Sequence, residues 1–311
     1  MKKRVLTAIV LLSILVPLLV IDHIVAEVLF AAIACVISVI GTYELMRAAY
    51  NESQSLKHLR IIVPIFSGII ALATCIASYS SAFDYDHFLN YNAIVIVLYI
   101  LLVSTVLGIV VFTKDSTAKD AMTCLLGLTY SGLMLGYAFS LRFIHPQSTN
   151  KFIFNVDGTR CFVYVYAIVA LTDSFAFFFG CKYGKHRLCP AVSPKKSVEG
   201  AVAGLIGGGL SGVAAMLLLG MINDTKGEAL VYSLLIGLGI SLLISVLVQL
   251  GDLVESKLKR SYEIKDFGNI LPGHGGILDR FDSFIFSGSF VYVALLALEA
   301  IIRIFMRNIS F

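Results

Sequence analysis

Long, almost uncharged apolar runs dictate what this chain can become. Nine of them fall at about 5–21, 24–46, 61–80, 92–113, 121–141, 162–180, 200–222, 229–251 and 284–306. A helix of about 20 residues spans the hydrocarbon core of a bilayer, and these runs are of that length. In lipid every backbone N–H and C=O must find its partner inside the protein, so such a run is a helix or a strand of a closed barrel. The alternating pattern of a membrane barrel is absent. The chain is therefore read as an all-α polytopic integral membrane protein with about nine transmembrane helices. Composition agrees: 58% of the 311 residues are hydrophobic and 14% charged, against roughly 25% charged in soluble domains. A soluble enzyme, a disordered chain and a nucleic-acid-binding module are excluded. The net charge of +4 is too small and too dispersed to hold nucleic acid.

Lysine and arginine set the direction of the spans. With the N-terminus inside, 18 of the 24 Lys and Arg residues fall in inner segments, and the outer segments 22–23 and 81–91 have none. This predicts a cytoplasmic N-terminus and an outer C-terminus. The first run, after Met1-Lys2-Lys3-Arg4, also resembles a signal peptide. It is long for one and no small-residue cleavage site follows, so it is read as an uncleaved anchor. Two regions are expected: a five-span scaffold over 1–160, and a catalytic region over 161–311 with four spans and two inner motif loops.

Most charges inside or beside the spans have an ordinary reading. Glu44, near the inner end of the second run, reads as a snorkelling end residue with Arg47 one turn away. Gly200, Gly204, Gly208 and Gly212, four apart, read as close helix packing. Asp173 is different. It lies within a run, and a carboxylate at depth must face protein, water or a cation. It is expected to line a polar cavity reached from the inside. Further on, Ser193-Pro194 reads as a helix N-cap followed by proline at the first helical position. Lys195 and Lys196 then occupy the first turn, where the helix dipole disfavours cations. With the free amides of that turn they are read as an anion site.

The segment 249–283 holds the densest chemistry. If the eighth run continues as a helix beyond the membrane, Asp252, Glu255, Ser256 and Lys259 share one face. Lys259, Arg260 and Lys265 supply cations. Gly268, Gly273, Gly275 and Gly276, around Pro272 and His274, form a loop able to aim backbone N–H groups at phosphate oxygens. Asp279 and Asp282 open the last run. Phosphoryl and nucleotidyl transfer need these parts: carboxylates for a hard cation, and Lys or Arg to spread phosphate charge. The residues alone point to a membrane enzyme acting on phosphate esters. One alternative is a secondary transporter of a phosphorylated or anionic solute, which Asp173 and the glycine-rich span would suit. The lack of an internal repeat and the one-sided placement of charge count against it. Another is a different lipid-phosphate enzyme, such as a polyprenol kinase.

The string Ser256-x-Leu258-Lys259-Arg260-x4-Lys265-Asp266-x-Gly268-x2-Leu271-Pro272-x-His274-Gly275-Gly276-Ile277-x-Asp279-Arg280-Phe281-Asp282 resembles the signature of the phosphatidate cytidylyltransferase, or CDP-diacylglycerol synthase, family. Residues 173–200 resemble the same family in Gly180, Gly184-Lys185, Pro190 and Ser193-Pro194-Lys195-Lys196, while Ser197-Val198 stands where Thr and often Trp are expected. The resemblance implies transfer of cytidylyl from CTP to phosphatidate, giving CDP-diacylglycerol and pyrophosphate. It implies Mg2+, with a second cation beside it as a further expectation, at a site facing the cytoplasm in a bacterial inner membrane, and a homodimer. By position, Asp252 and Asp279 match the family's metal-binding carboxylates. Lys195, Lys196, Arg260 and Lys265 match its basic positions. Lys265, Asp173, Asp282 and His274 are the candidate catalytic residues; Asp173 or Asp282 stands near the metal, and His274 either shapes the loop or donates to phosphate. Ser193, Lys195, Lys196, Lys259, Arg260, Gly275, Gly276 and Arg280 are the candidates for substrate binding. The implied partners are CTP, phosphatidate and membrane lipids.

Overall fold

The structure is a computed structural model that describes residues 13, 15–49, 58–83, 88–114, 116–144, 154–223, 227–270 and 275–309. Eight helices among the described residues are long and apolar enough to cross a membrane. The run read at 5–21 lies mostly outside the described residues. The first three are α1 (Ile24–Ala49), α2 (Leu59–Phe83) and α3 (Phe88–Phe112). The fourth is composite. It joins α4 (Ala118–Leu126), a π-helical stretch Gly127–Met134, α5 (Leu135–Ser140) and a 3-10 turn Leu141–Phe143. Then come α6 (Gly158–Tyr183), a hairpin of β1 (Arg187–Cys189) and β2 (Ser193–Ser197), α7 (Val198–Leu218), α8 (Gly227–Ser261) and α9 (Leu278–Ile309). With 35 residues, α8 is about 52 Å long at 1.5 Å per residue and outruns a bilayer core. The helix thus continues past the apolar run, which sets Asp252 to Lys259 in helical register.

Two compact units divide the chain: residues 1–140 with 259–285, and residues 141–258 with 286–311. In the first, Met46, Leu59, Val63, Ile70, Val106, Val110, Cys124 and Leu128 form a buried cluster. Apolar burial alone does not drive helices together in lipid, so close packing and hydrogen bonds do it. Ser38 Oγ donates to the Ser131 carbonyl at 2.6 Å, and Thr42 Oγ1 to Ser67 Oγ at 2.7 Å. Gly132 of the π-helical stretch lies so near α2 that a Cβ there would be 3.2 Å from Ser67 Cα. Phe139 gathers Phe30, Phe281 and Phe284 at ring-centroid distances of 5.5, 5.6 and 5.9 Å.

The second unit rests on the α6–α7 contact. The glycines spaced by four leave almost no side chain between the backbones. A Cβ at Gly200 would be 2.7 Å from the Ala176 carbonyl, and one at Gly204 2.9 Å from that of Thr172. Hydroxyls stitch α8 to this pair: Tyr164 to Ser241 at 2.8 Å, Thr172 to Ser245 at 2.9 Å. Gly208→Ala should therefore destabilise the protein by about 1–3 kcal/mol through overpacking, because the new methyl meets Ser245 Cβ at 2.8 Å. Gly239→Ala, with nothing within 4 Å of its Cβ, should be neutral or slightly stabilising on helix propensity. Thermal melts in detergent would compare the two.

The hairpin corrects one expectation. Ser193-Pro194 does not start a helix. Residues Ser193–Ser197 pair antiparallel with Arg187–Cys189, and α7 begins at Val198 with Ser197 as its N-cap, accepting from Gly200 N at 3.1 Å. Two capping signals compete four residues apart. The later one sets Glu199 in the first turn, which suits the dipole. The earlier one would set two lysines there.

Candidate active site

A cavity of about 280 Å³ lies in the second unit, its polar lining made by Asp173, Lys195, Lys196, Ser197, Gln249 and Asp252. Three elements supply these groups. Asp173 sits three turns before the end of α6. Lys195 and Lys196 come from β2, and Gln249 and Asp252 lie one turn apart on α8. Gly180 and Gly200 form part of the wall. Lys196 Nζ is ion-paired with Asp252 Oδ2. Ser256 Oγ donates to Asp252 Oδ1 at 3.4 Å, and Gln249 Nε2 to the Ala201 carbonyl at 3.2 Å. Glu199 anchors the hairpin: its carboxylate accepts from Lys185 N at 3.0 Å and His186 N at 3.2 Å, and His186 Nδ1 lies 2.6 Å from its Oε1.

Two carboxylates and two ammonium groups thus share one small space, and Ala176, Phe177, Leu188 and Ala201 wall the rest. Apolar walls lower the local dielectric and strengthen each charge interaction. The volume is at the small end of ligand pockets, which run roughly 300–1,000 Å³. It suits a phosphate-bearing portion of a ligand rather than a whole nucleotide with a whole lipid.

A second cluster lies in the first unit, around the start of α9. Asp279 is 7% exposed. Its Oδ1 accepts from Lys259 Nζ at 3.0 Å, and its Oδ2 from Phe267 N and Gly276 N, each at 2.9 Å. Glu44 of α1 reaches the same helix end. Its Oε1 accepts from Ile277 N at 3.1 Å and its Oε2 from Leu278 N at 3.0 Å. These are the orphan donors of a helix N-terminus, where the dipole also favours negative charge.

Here two further expectations give way. Glu44 is not a snorkelling end residue: it is 2% exposed and spends one oxygen on the first residue of α9 and the other on the residue before it. The amides of Gly276, Ile277 and Leu278, which the glycine-rich pattern offered to phosphate, are taken by protein carboxylates. Gly275, at φ 87°, is a turn residue whose backbone few other side chains tolerate.

The structure brings Asp173, Lys195, Lys196 and Asp252 together, and separately Lys259, Gly276 and Asp279. Ser193, half-buried at the head of β2, is not among the cavity-lining residues. Arg260, Lys265 and Arg280 are exposed, and Arg260 Nη1 lies 3.5 Å from the Ile264 carbonyl. Asp282 Oδ1 accepts from Ser283 N at 2.7 Å. His274, with Leu271, Pro272 and Gly273, lies outside the described residues. No group of three or more His, Cys, Asp or Glu side chains placed to share a metal ion occurs among the described residues. Gln249, Ser197 and Glu44 were not singled out from sequence as site residues. Gln249 carries a signal, being a polar residue inside an apolar run, and Glu44 carries the same one.

The comparison with known proteins extends beyond these groups. Residues 2–298 match the cytidylyltransferase family. A phosphatidate cytidylyltransferase of Staphylococcus haemolyticus (strain JCSC1435) is 34% identical over 288 residues, 92% of this chain and 95% of its own length. One of Bacillus subtilis (strain 168) is 34% identical over 297 residues, 95% of this chain and 97% of its own. One of Staphylococcus aureus (strain COL) is 40% identical over 182 residues, 58% of this chain and 62% of its own. Likeness that runs through the apolar N-terminal spans as well as the charged loops places this chain in the cytidylyltransferase family.

Proposed function

We propose that this chain transfers the cytidylyl group of CTP to phosphatidate, leaving CDP-diacylglycerol in the membrane and releasing pyrophosphate. Within the structure, the observation that carries this is the cavity in which Asp173 and Asp252 face Lys195 and Lys196 beside the apolar Phe177. A lipid phosphate needs ammonium groups next to an apolar wall, and a nucleoside triphosphate needs a hard cation on its phosphates.

The residues fit magnesium. Mg2+ is commonly held by one or two carboxylates together with substrate phosphates and water, so Asp252 and Asp173 suffice as the protein's share. Bound there, the ion would neutralise charge on the triphosphate and orient the pyrophosphate leaving group. Lys196 and Asp252 neutralise each other in the cavity. Lys196 drawn to a phosphate would leave the Asp252 carboxylate free to hold a cation, and Asp252 so engaged would leave Lys196 free for phosphate. The two sites are thereby coupled. Lys195 adds a second ammonium to the same phosphate group. Exposed Lys265 and Arg260 are assigned to the other. The monoester phosphate of phosphatidate is already anionic at neutral pH, its second pKa being about 6. No strong general base is needed: a phosphate oxygen attacks the α-phosphorus in line as the bond to the β-phosphate oxygen breaks. Asp279 and Lys259 hold the loop before α9. The lysine and arginine distribution supports a cytoplasmic position for both charged loops, on the side of a bacterial membrane where CTP is, and a homodimer is the expected assembly.

Purified protein given labelled CTP, Mg2+ and phosphatidate should form labelled CDP-diacylglycerol and an equal amount of pyrophosphate. A lipid kinase would release CDP, and a transporter would form no product. Either result would overturn the proposal.

A further inference from the structure

Resting on the reaction proposed above, we infer that Glu44 is a positioning residue. From α1 it holds the loop and helix start that carry Asp279, and so gives an N-terminal span a part in catalysis. A buried carboxylate is costly unless its oxygens are hydrogen-bonded. Glu44 finds its donors in Ile277 N and Leu278 N, at 3.1 and 3.0 Å. Asp279 takes the preceding amide, Gly276 N, at 2.9 Å. Three consecutive amides are therefore clamped by two carboxylates, one from α9 itself and one from a helix more than two hundred residues earlier. The loop is shaped around the glutamate. A Cβ at Gly276 would lie 2.5 Å from Glu44 Oε2, and a Cβ at Gly268 would run into Glu44 Oε1. Two glycines of the loop thus face the same carboxylate from two sides. The carboxylate is buried and each of its oxygens accepts from a backbone amide, so it acts through the loop rather than on a substrate.

The test uses the full chain in lipid nanodiscs. Glu44→Gln keeps the side-chain length but leaves one acceptor oxygen, and Glu44→Ala leaves none. Gly268→Ala presses on the same contact from the loop side and keeps the test open if Glu44→Ala fails to fold. Hydrogen exchange of peptides covering 264–280, melting temperature, kcat and KM are measured for each. Loss of the clamp should speed exchange in 264–280 by about tenfold or more and leave peptides of α3 and α7 unchanged. kcat should fall by about tenfold while KM for the substrate held by Lys195 and Lys196 stays within about twofold, because the lysines of the cavity are untouched. Glu44→Gln should lie between wild type and Glu44→Ala. Unchanged exchange in 264–280, or full kcat with a loosened loop, would overturn the inference. So would faster exchange everywhere with a matching fall in melting temperature, which marks a merely structural role. If wild type forms no CDP-diacylglycerol, the proposed reaction fails, while the exchange result still reports whether Glu44 holds the loop.

Discussion

Asp252→Asn is expected to lower CDP-diacylglycerol formation by about 10²–10³-fold, the scale of losing one preorganised charge interaction with developing charge. The substitution keeps the shape of the side chain and removes its negative charge. The protein should still fold. The side chains of Lys196 and Asp252 are 27% and 31% exposed, and an ion pair that water reaches is worth roughly 0–1 kcal/mol. Kinetics at saturating Mg2+ and a melting curve separate the two effects. A further sign would mark the coupling: without its carboxylate, Lys196 should bind pyrophosphate more tightly in the absence of Mg2+. Full activity in the variant would remove Asp252 from the site, and unchanged pyrophosphate affinity would remove the coupling.

Asp279→Asn should behave differently, losing both activity and stability. The side chain of Asp279 is 2% exposed and that of Lys259 16%. Removing one partner of a buried pair costs about 3–5 kcal/mol, because the other charge is left uncompensated. Asparagine also turns one acceptor into a donor, set against either the Lys259 ammonium or the two amides of Phe267 and Gly276. Activity should be undetectable, and the melting temperature in detergent should fall. Adding Lys259→Met should recover part of the stability, since no charge then stays buried alone, and none of the activity. A single variant that melts like wild type would show that Asp279 does not organise the loop.

How much of this could be read from the chain depends on how local each cause is. The spans follow from the thickness of a bilayer and the cost of bare backbone in lipid, both of which act on a run of residues wherever it sits. Asp173 was identifiable as a cavity residue because a carboxylate at depth has few alternatives. The glycines spaced by four carried their packing in their spacing. Lys195 and Lys196 lie in the cavity, but on a strand and not in the first turn of a helix. Two capping signals four residues apart are nearly equal locally, and the choice falls to the pairing of 193–197 with 187–189. The π-helical stretch Gly127–Met134 has no sequence mark of its own.

The chain by itself determined the solvent it folds in, the helices that cross that solvent, and which charges are too costly to be there without a role. Those follow from transfer free energies of single side chains and from the periodicity of one helix. Only the tertiary structure decided which charges meet. It gave Lys196 to Asp252 and Lys259 to Asp279, and it brought Glu44 to amides 233 and 234 positions away. A carboxylate accepts from any donor of suitable geometry, so its type says that a partner must exist. Which donor it finds is set by how the helices pack.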